Sequence, residues 1–233
     1  MFDPSAIEFS DSDFSGQARL FPLPNLVLFP HVIQPLHIFE ERYREMMQDA
    51  LDGDKLLTMC LLAPGWETDG SERPTICAGA CLGRIVSWRL LDDGRYNLLL
   101  AGMRRVKVVS ELDASTSFRQ AHVQLCPDSS QVSASRQEEL RRRLSDAFEK
   151  ALSQTTACEQ PHDLLKLFES SLPLSALTDI LAYSLEFGLA FKQQLLEETS
   201  VDKRAQLLLE NLHHPQQTCE QSARKFPPDF SRN

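Results

Sequence analysis

The chain has 233 residues, of which 24 are basic and 33 acidic, so that its formal net charge is −9 at pH 7. This length suffices for one large domain or two small ones, and 42% hydrophobic residues are typical of a soluble globular protein. Neither half of the chain is basic, which excludes the electrostatic footprint of a nucleic-acid-binding domain and disfavours an anionic membrane surface. We therefore expect neither nucleic acid nor membrane as a partner.

Residues 1–18 (MFDPSAIEFSDSDFSGQA) are rich in aspartate and serine and show no hydrophobic periodicity, which predicts a loose tail. The acidic start lacks the apolar core of a secretory signal. The six cysteines need not form disulfides in a chain of this length. We expect reduced thiols, mostly buried as small hydrophobic side chains, in a cytoplasmic protein.

An apolar run follows over residues 21–39, and four prolines interrupt it. A membrane-spanning helix needs about 20 consecutive apolar residues, so this run does not predict one. Prolines suit the ends, edges and bulges of strands. We predict a short buried strand over residues 26–29, continued by Val32 and Ile33 after a break at Pro30.

From residue 39 the hydrophobic period becomes helical. One face would carry the apolar side chains of Phe39, Tyr43, Met46, Met47, Ala50 and Leu51. Gly53 is a natural C-terminal stop. The pattern predicts a helix whose apolar stripe faces a core.

The next 70 or so residues have the pattern of an all-β region. The predicted strands cover residues 55–62, 75–88, 90–91, 96–100, 106–109 and 118–125. Residues 63–74 read as an exposed loop, Gly79 and Gly83 as bends or bulges, and residues 92–95 (DDGR) as a hairpin turn. Short strands with regular turns predict a small barrel.

After Pro127 the hydrophobic period is helical throughout. Ser135 with Glu138 fits a capping box, and apolar residues from Leu140 to Leu152 then line one face. Four further helices are predicted over residues 162–170, 175–187, 189–198 and 200–212. Residues 214–233 are polar and contain prolines, which predicts a disordered tail.

Three stretches carry a resemblance to a known family. The first joins FPLPN at residues 21–25 to PLHIFE at residues 35–40. The second runs from GRI at residue 83 to GMRRV at residues 102–106. The third runs from LA at residue 181 through KQQLLE at residue 192 to VDKR at residues 201–204. In this order they resemble the N-terminal domain of the Lon protease family in a stand-alone form, over roughly residues 20–212.

The resemblance implies an α+β protein, with a PUA-like β-barrel (a pseudobarrel) followed by a C-terminal α-helical bundle. The barrel is expected over residues 19–127 and the bundle over 128–213, together one Lon N-terminal domain. In the full-length protease this region is not catalytic, helps to recognise damaged or unfolded protein and supports hexamer assembly. The chain lacks the ATPase motif G-x-x-x-x-G-K-[ST] and the family's Ser/Lys protease motif, so we expect no enzyme activity and no cofactor.

Other kinds of site have weak signals. Cys77 and Cys81 are four residues apart on a predicted strand, about 13 Å, too far for two thiolates to share one zinc ion. Hydrolase motifs are absent. The basic clusters at residues 104–107 and 141–143 are short, and acidic residues flank the second of them. An RNA- or small-molecule-binding PUA-like module remains the alternative, and an unrecognised catalytic site a third.

Protein binding is the function that the resemblance favours. We predict a non-catalytic module that recognises unfolded or degron-like protein segments, as an adaptor or accessory to proteolysis. The candidate contact residues are Trp66 in the loop 63–74, His31, Met46 and Met47. An exposed tryptophan in a loop is a typical partner anchor, although its ring also suits covering the barrel end. The two methionines are adaptable, yet their helical spacing favours core packing over a surface contact.

Overall fold

The computed structural model describes residues 9–68, 70, 71, 73–113, 116–154 and 161–213. The tail predicted over residues 214–233, the first eight residues of the predicted N-terminal tail and the segment 155–160 lie outside this part. The chain forms two compact units, and the first passes into the second between Cys126 and Pro127. None of the described helices is long and apolar enough to cross a membrane.

The first unit is built on one six-stranded sheet and one helix. Its elements are β1 (Gln17–Leu23), β2 (Ile33–Ile38), α1 (Glu41–Asp52), β3 (Leu56–Leu62), β4 (Ile76–Leu90), β5 (Tyr96–Leu112) and β6 (Gln120–Leu125). The strand order is β2-β5-β4-β3-β1-β6, and β6 also pairs with β5. Five strands therefore close into a ring, with β2 added outside it, and the predicted pseudobarrel is confirmed.

Strand β5 belongs both to the five-stranded ring and to the pair with β2, because it is long and bent. The two strands predicted over residues 96–100 and 106–109 are halves of this single element. Register shifts relative to β4 and β6 occur near Gly83, Ser87 and Ser110. Such bulges bend a strand, so that the first half of β5 pairs with β2 and the second half with β6.

The strand predicted over residues 26–29 does not form, although all four of its side chains are buried. The strand in this region is β1, which ends at Leu23 and contains Pro22. Prolines on both sides of residues 26–29 remove backbone donors that a ladder needs. The backbone is held next to β5 instead, where the His31 N–H donates to the Gly102 carbonyl at 3.0 Å and the Gly102 N–H to Val32 at 2.8 Å.

The N-terminal tail predicted over residues 1–18 also differs from the structure in its second half. Residues 11–13 form a short 3₁₀ helix, and β1 begins at Gln17. Phe9 and Phe14 pack as partly buried side chains against the core. The prediction of a loose tail rested on the aspartate and serine content and overlooked these two aromatic side chains.

Helix α1 has the predicted apolar stripe, but the helix begins at Glu41, two residues later than the predicted stripe. Tyr43, Met46, Met47 and Ala50 are buried, and the Gly53 N–H closes the helix on the Ala50 carbonyl. Phe39 was expected on this face and is not, because it precedes the helix and is exposed.

The second unit is helical. Its elements are α2 (Ala134–Gln154), α3 (Pro161–Glu169), α4 (Leu174–Ser184), α5 (Leu189–Glu197) and α6 (Val201–His213). Helix α6 packs on α2 and α4, and the side chains of Leu144, Leu177 and Leu208 are fully buried. The predicted cap of α2 is shifted, because Ser133, not Ser135, accepts the N–H of Arg136.

Candidate functional site

Two large apolar side chains are exposed near the end of β4. Trp88 is 45% and Leu90 is 56% exposed. Trp88 lies opposite Leu98 of β5, and Leu90 lies opposite Tyr96. Because cross-strand partners and residues i and i+2 share one face of a sheet, these side chains form one surface. We refer to Trp88, Leu90 and Tyr96 as the apolar shelf.

The shelf continues a face that is buried on the neighbouring strands. Leu98 pairs in turn with Leu36 of β2, and Tyr96 with Ile38. Leu98, Leu36 and Ile38 are almost completely buried. The same sheet face thus passes from core at β2 to exposed apolar surface at β4, and its strand scaffold holds the exposed part in a fixed shape.

The shelf lies beside a sheet edge. The pairing of β3 with β4 reaches only to Leu56 opposite Arg84, and a last bond joins the Ile85 N–H to the Lys55 carbonyl at 2.9 Å. Among the described residues, no strand pairs with residues 86–90 on the side away from β5. The Lys55 ammonium lies 5.1 Å from the centroid of the Trp88 ring, a cation–π contact that orients the ring.

The predicted Asp-Gly turn keeps this hairpin end in place. The Leu91 N–H donates to Arg95 at 2.8 Å, the Gly94 N–H donates to Leu91 at 2.9 Å, and Gly94 has φ +81°. The Arg95 guanidinium bonds the Asp93 carboxylate and lowers the pKa of that carboxyl. The turn thus closes the two strands immediately beyond Leu90.

None of the residues predicted as partner contacts belongs to the shelf. Met46 and Met47 are completely buried, so their proposed role as surface contacts is wrong, because α1 directs them into the core. Trp66 is half-buried in a short 3₁₀ helix that follows β3, and β3 there pairs with the opposite end of β4. His31 is exposed at φ +64°, just before β2.

Sequence reasoning assigned Trp88 and Leu90 only to strands and overlooked their exposure. The available signal was their position: two apolar residues with i, i+2 spacing directly before a tight hairpin turn. A hairpin end extends past its neighbours whenever the adjacent strand is shorter, and β3 begins at Leu56, whose partner is Arg84.

The thiols have no arrangement suited to nucleophilic chemistry in the described residues. Burial raises the pKa of the Cys60 thiol to about 12, which keeps it protonated. Cys77 and Cys81 both lie on β4, in extended backbone. Within the described ranges, no three histidine, cysteine or acidic side chains gather as a metal site would require.

The basic clusters are engaged in internal contacts. Arg105 is buried, and Arg104 donates to Asp11 at 3.0 Å. Arg141 donates to main-chain carbonyls at the end of α3, those of Phe168 and Ser170 among them. Three of the basic side chains in these clusters are therefore buried or bonded to groups of the same chain.

A sequence model of the family described as the ATP-dependent protease La (LON) substrate-binding domain matches residues 17–214. The chain belongs to this family. Lon protease 1 of Bdellovibrio bacteriovorus is 28% identical over 202 residues, which cover 85% of this chain and 24% of that protein. Lon protease of Escherichia coli K12 is 25% identical over 190 residues, with 82% and 24% covered. The chain thus spans about a quarter of the length of these Lon proteases.

Solved Lon domains share the fold. The N-terminal domain of Mycobacterium avium complex Lon protease superposes with a TM-score of 0.66 at 14% identity, over 85% of this chain and 98% of that one. A Lon N-terminal domain protein from Xanthomonas campestris gives a TM-score of 0.60 at 23% identity, over 83% and 97%. The resemblance to the N-terminal domain of Lon proteases is confirmed, as is the α+β class.

Proposed function

We propose that this Lon-family domain is a non-catalytic module that binds extended apolar segments of unfolded or degron-like proteins, as an adaptor or accessory to proteolysis in the cytoplasm. The observation that carries the proposal is the apolar shelf beside a sheet edge with which none of the described strands pairs. The family's description as a protease substrate-binding domain supports it. We place the binding site at Trp88 and Leu90 rather than at the four residues chosen from sequence alone.

An extended polypeptide suits this surface for a physical reason. The backbone of residues 86–90 offers donors and acceptors on its free side, and an added strand satisfies them whatever its sequence. Trp88 and Leu90 then contact alternate side chains of that strand, because both surfaces have a two-residue repeat. Folded proteins expose few unpaired strands, so this surface should bind unfolded proteins in preference to folded ones.

The expected affinity is modest. Burying the exposed parts of Trp88 and Leu90 contributes on the order of 1–2 kcal/mol for each side chain. Association costs several kcal/mol in lost freedom of motion. These two terms leave little net attraction by themselves, so the backbone hydrogen bonds of the added strand must supply most of the affinity. We therefore expect weak, readily reversible binding, which suits a module that must release what it binds.

The proposal assigns no chemistry to the chain itself. The G-x-x-x-x-G-K-[ST] sequence of an ATPase does not occur in its 233 residues, and the chain matches the substrate-binding part of its relatives. Turnover of ATP by homogeneous protein would contradict this assignment.

The proposal is tested by fluorescence anisotropy with one labelled model protein in two forms, native and irreversibly reduced and alkylated. We expect binding to the unfolded form and no detectable binding to the native form. Equal affinity for both forms, or binding to neither, would count against it. A labelled RNA serves as the third ligand, because retention at moderate salt with a steep salt dependence would favour the RNA-binding alternative.

A further inference from the structure

A second surface of the barrel unit is covered by the chain's own N-terminal segment. The Phe9 ring lies close to two guanidinium groups, with its centroid 5.7 Å from that of Arg84 and 5.3 Å from that of Arg104. It also packs against a buried cluster formed by Val86, Ala101 and Met103. We refer to this cluster and the two arginines as the Phe9 receptor.

A carboxylate two residues later completes the contact. The Arg104 Nε donates to Asp11 Oδ1 at 3.0 Å, and its Nη2 donates to the Phe9 carbonyl at 3.4 Å. Ser10 between them has extended backbone, which places residues 9 and 11 on the same side. Arg104 therefore contacts three groups of the segment: the Phe9 ring, the Phe9 carbonyl and the Asp11 carboxylate.

Behind these residues the segment is attached by Phe14, which packs against the core, and by backbone hydrogen bonds. The Gly16 carbonyl accepts the Val123 N–H at 2.8 Å, and the ladder of β1 with β6 begins at Gln17. Gly16 has φ +80°, so the chain turns sharply at this anchor. Ahead of it, Phe9 is only partly buried and the Asp11–Arg104 ion pair is exposed, and exposed pairs contribute about 0–1 kcal/mol.

We infer that the Phe9 receptor is a docking site for protein segments with an aromatic residue followed two positions later by an acidic one, and that Phe9-Ser10-Asp11 occupies it in cis. Two guanidinium groups within cation–π distance of one ring favour an aromatic ligand, and the charge of Arg104 favours a nearby carboxylate. A tethered segment held by weak contacts is exchangeable. This inference does not rest on the proposed role of the apolar shelf.

The test uses a labelled peptide with the sequence of residues 7–15 (IEFSDSDFS) and the full chain in three forms. In the intact chain the tethered copy competes at high effective concentration. In Phe9→Ala the receptor is vacated, and we expect its affinity for the peptide to exceed that of the intact chain by about tenfold or more. Asp11→Arg, which repels Arg104 but keeps the ring, should give an intermediate increase.

Controls address both the peptide and the receptor. A peptide with alanine at the Phe9 position should not bind, and adding Arg104→Glu to the Phe9→Ala chain should abolish binding. Thermal unfolding of each variant shows whether it is folded. If Phe9→Ala does not fold, the comparison of Asp11→Arg with the intact chain still tests the inference. Equal peptide affinity for the intact chain and the folded variants, or no binding to any of them, would overturn the inference.

Discussion

The guanidinium of Arg204 donates to both carboxylate oxygens of Asp128, at 2.7 and 2.8 Å. The same group donates to the Glu198 carbonyl at 2.9 Å and lies 3.6 Å from the Asp179 carboxylate. The Arg204 side chain is 1% exposed and that of Asp128 is 26% exposed. One buried cation thus joins the start of the helical unit, α4, the end of α5 and α6.

This arrangement predicts a large effect on stability. Arg204→Leu removes the buried guanidinium that bonds the Asp128 carboxylate and lies 3.6 Å from that of Asp179, and breaking a buried ion pair costs about 3–5 kcal/mol. Arg204→Lys should be intermediate, because an ammonium lacks the planar fork that bonds two oxygens. Urea unfolding measures both. Lys203→Ala, at the exposed neighbouring position, is the control and should change the unfolding free energy by less than about 0.5 kcal/mol. An Arg204→Leu protein as stable as this control would contradict the assignment.

Local chemistry made the hairpin and the helices predictable from sequence. The Asp93-Gly94 turn and helix α6, predicted over residues 200–212, depend on a few neighbouring residues, and both occur as expected. The resemblance to Lon added the pseudobarrel, whose strand order joins residues far apart in the chain.

The features that the sequence did not predict depend on tertiary contacts. The irregular path of residues 26–29 follows from the backbone of Gly102, some 70 residues later, and the cover by Phe9 from arginines on two distant strands. The exposure of Trp88 depends on where β3 begins. None of these three features can be predicted from the residues that neighbour them in the sequence.

Gly102 offers a sharp test of the close contact between β5 and the segment before β2. A Cβ added at Gly102 would lie 2.0 Å from the Phe29 carbonyl oxygen, a backbone atom. Gly102→Ala should therefore lower the unfolding free energy by about 3 kcal/mol or more, because the backbone must move.

Gly188→Ala is its matched control. Nothing lies within 4 Å of the added Cβ there, and the backbone has φ −60°. Chemical unfolding should show Gly188→Ala within about 1 kcal/mol of the parent. Equal losses for the two glycines would show that the contact with Phe29 is not as close as described.

Stability should fall on the alkaline side. Burial raises the pKa of Cys60 from 9.0 to about 12 and that of Tyr43 from 10.0 to about 12. The unfolded state loses these protons first, so deprotonation favours unfolding. Both contributions are complete below pH 9 and are lost as the pH rises from 9 towards 12. Urea midpoints across this interval should decline, and Tyr43→Phe should flatten the decline above pH 10. A Tyr43→Phe curve parallel to the parent's would contradict the tyrosine's share.

The reactivity of two thiols should differ in the folded protein. Cys60 is completely buried, whereas Cys126 is partly exposed. Burial also raises the pKa of Cys126, but nearby Lys107 and Arg105 oppose the shift. An alkylating reagent should therefore label Cys126 first and reach Cys60 only on unfolding. Mass spectrometry of digested protein after timed labelling measures both rates, and comparable rates under native conditions would contradict the burial of Cys60.

The most direct test of the central claim is the affinity of a shelf variant for unfolded protein. Trp88→Ser combined with Leu90→Ser removes both exposed apolar side chains, and Val109→Ser removes one that is 62% exposed in the other half of β5. By anisotropy with the alkylated model protein, we predict that the double variant loses affinity by about tenfold or more, equivalent to about 1.4 kcal/mol. Val109→Ser should bind as the parent does. Unchanged affinity of the double variant, or an equal loss in Val109→Ser, would contradict the placement of the site at the shelf.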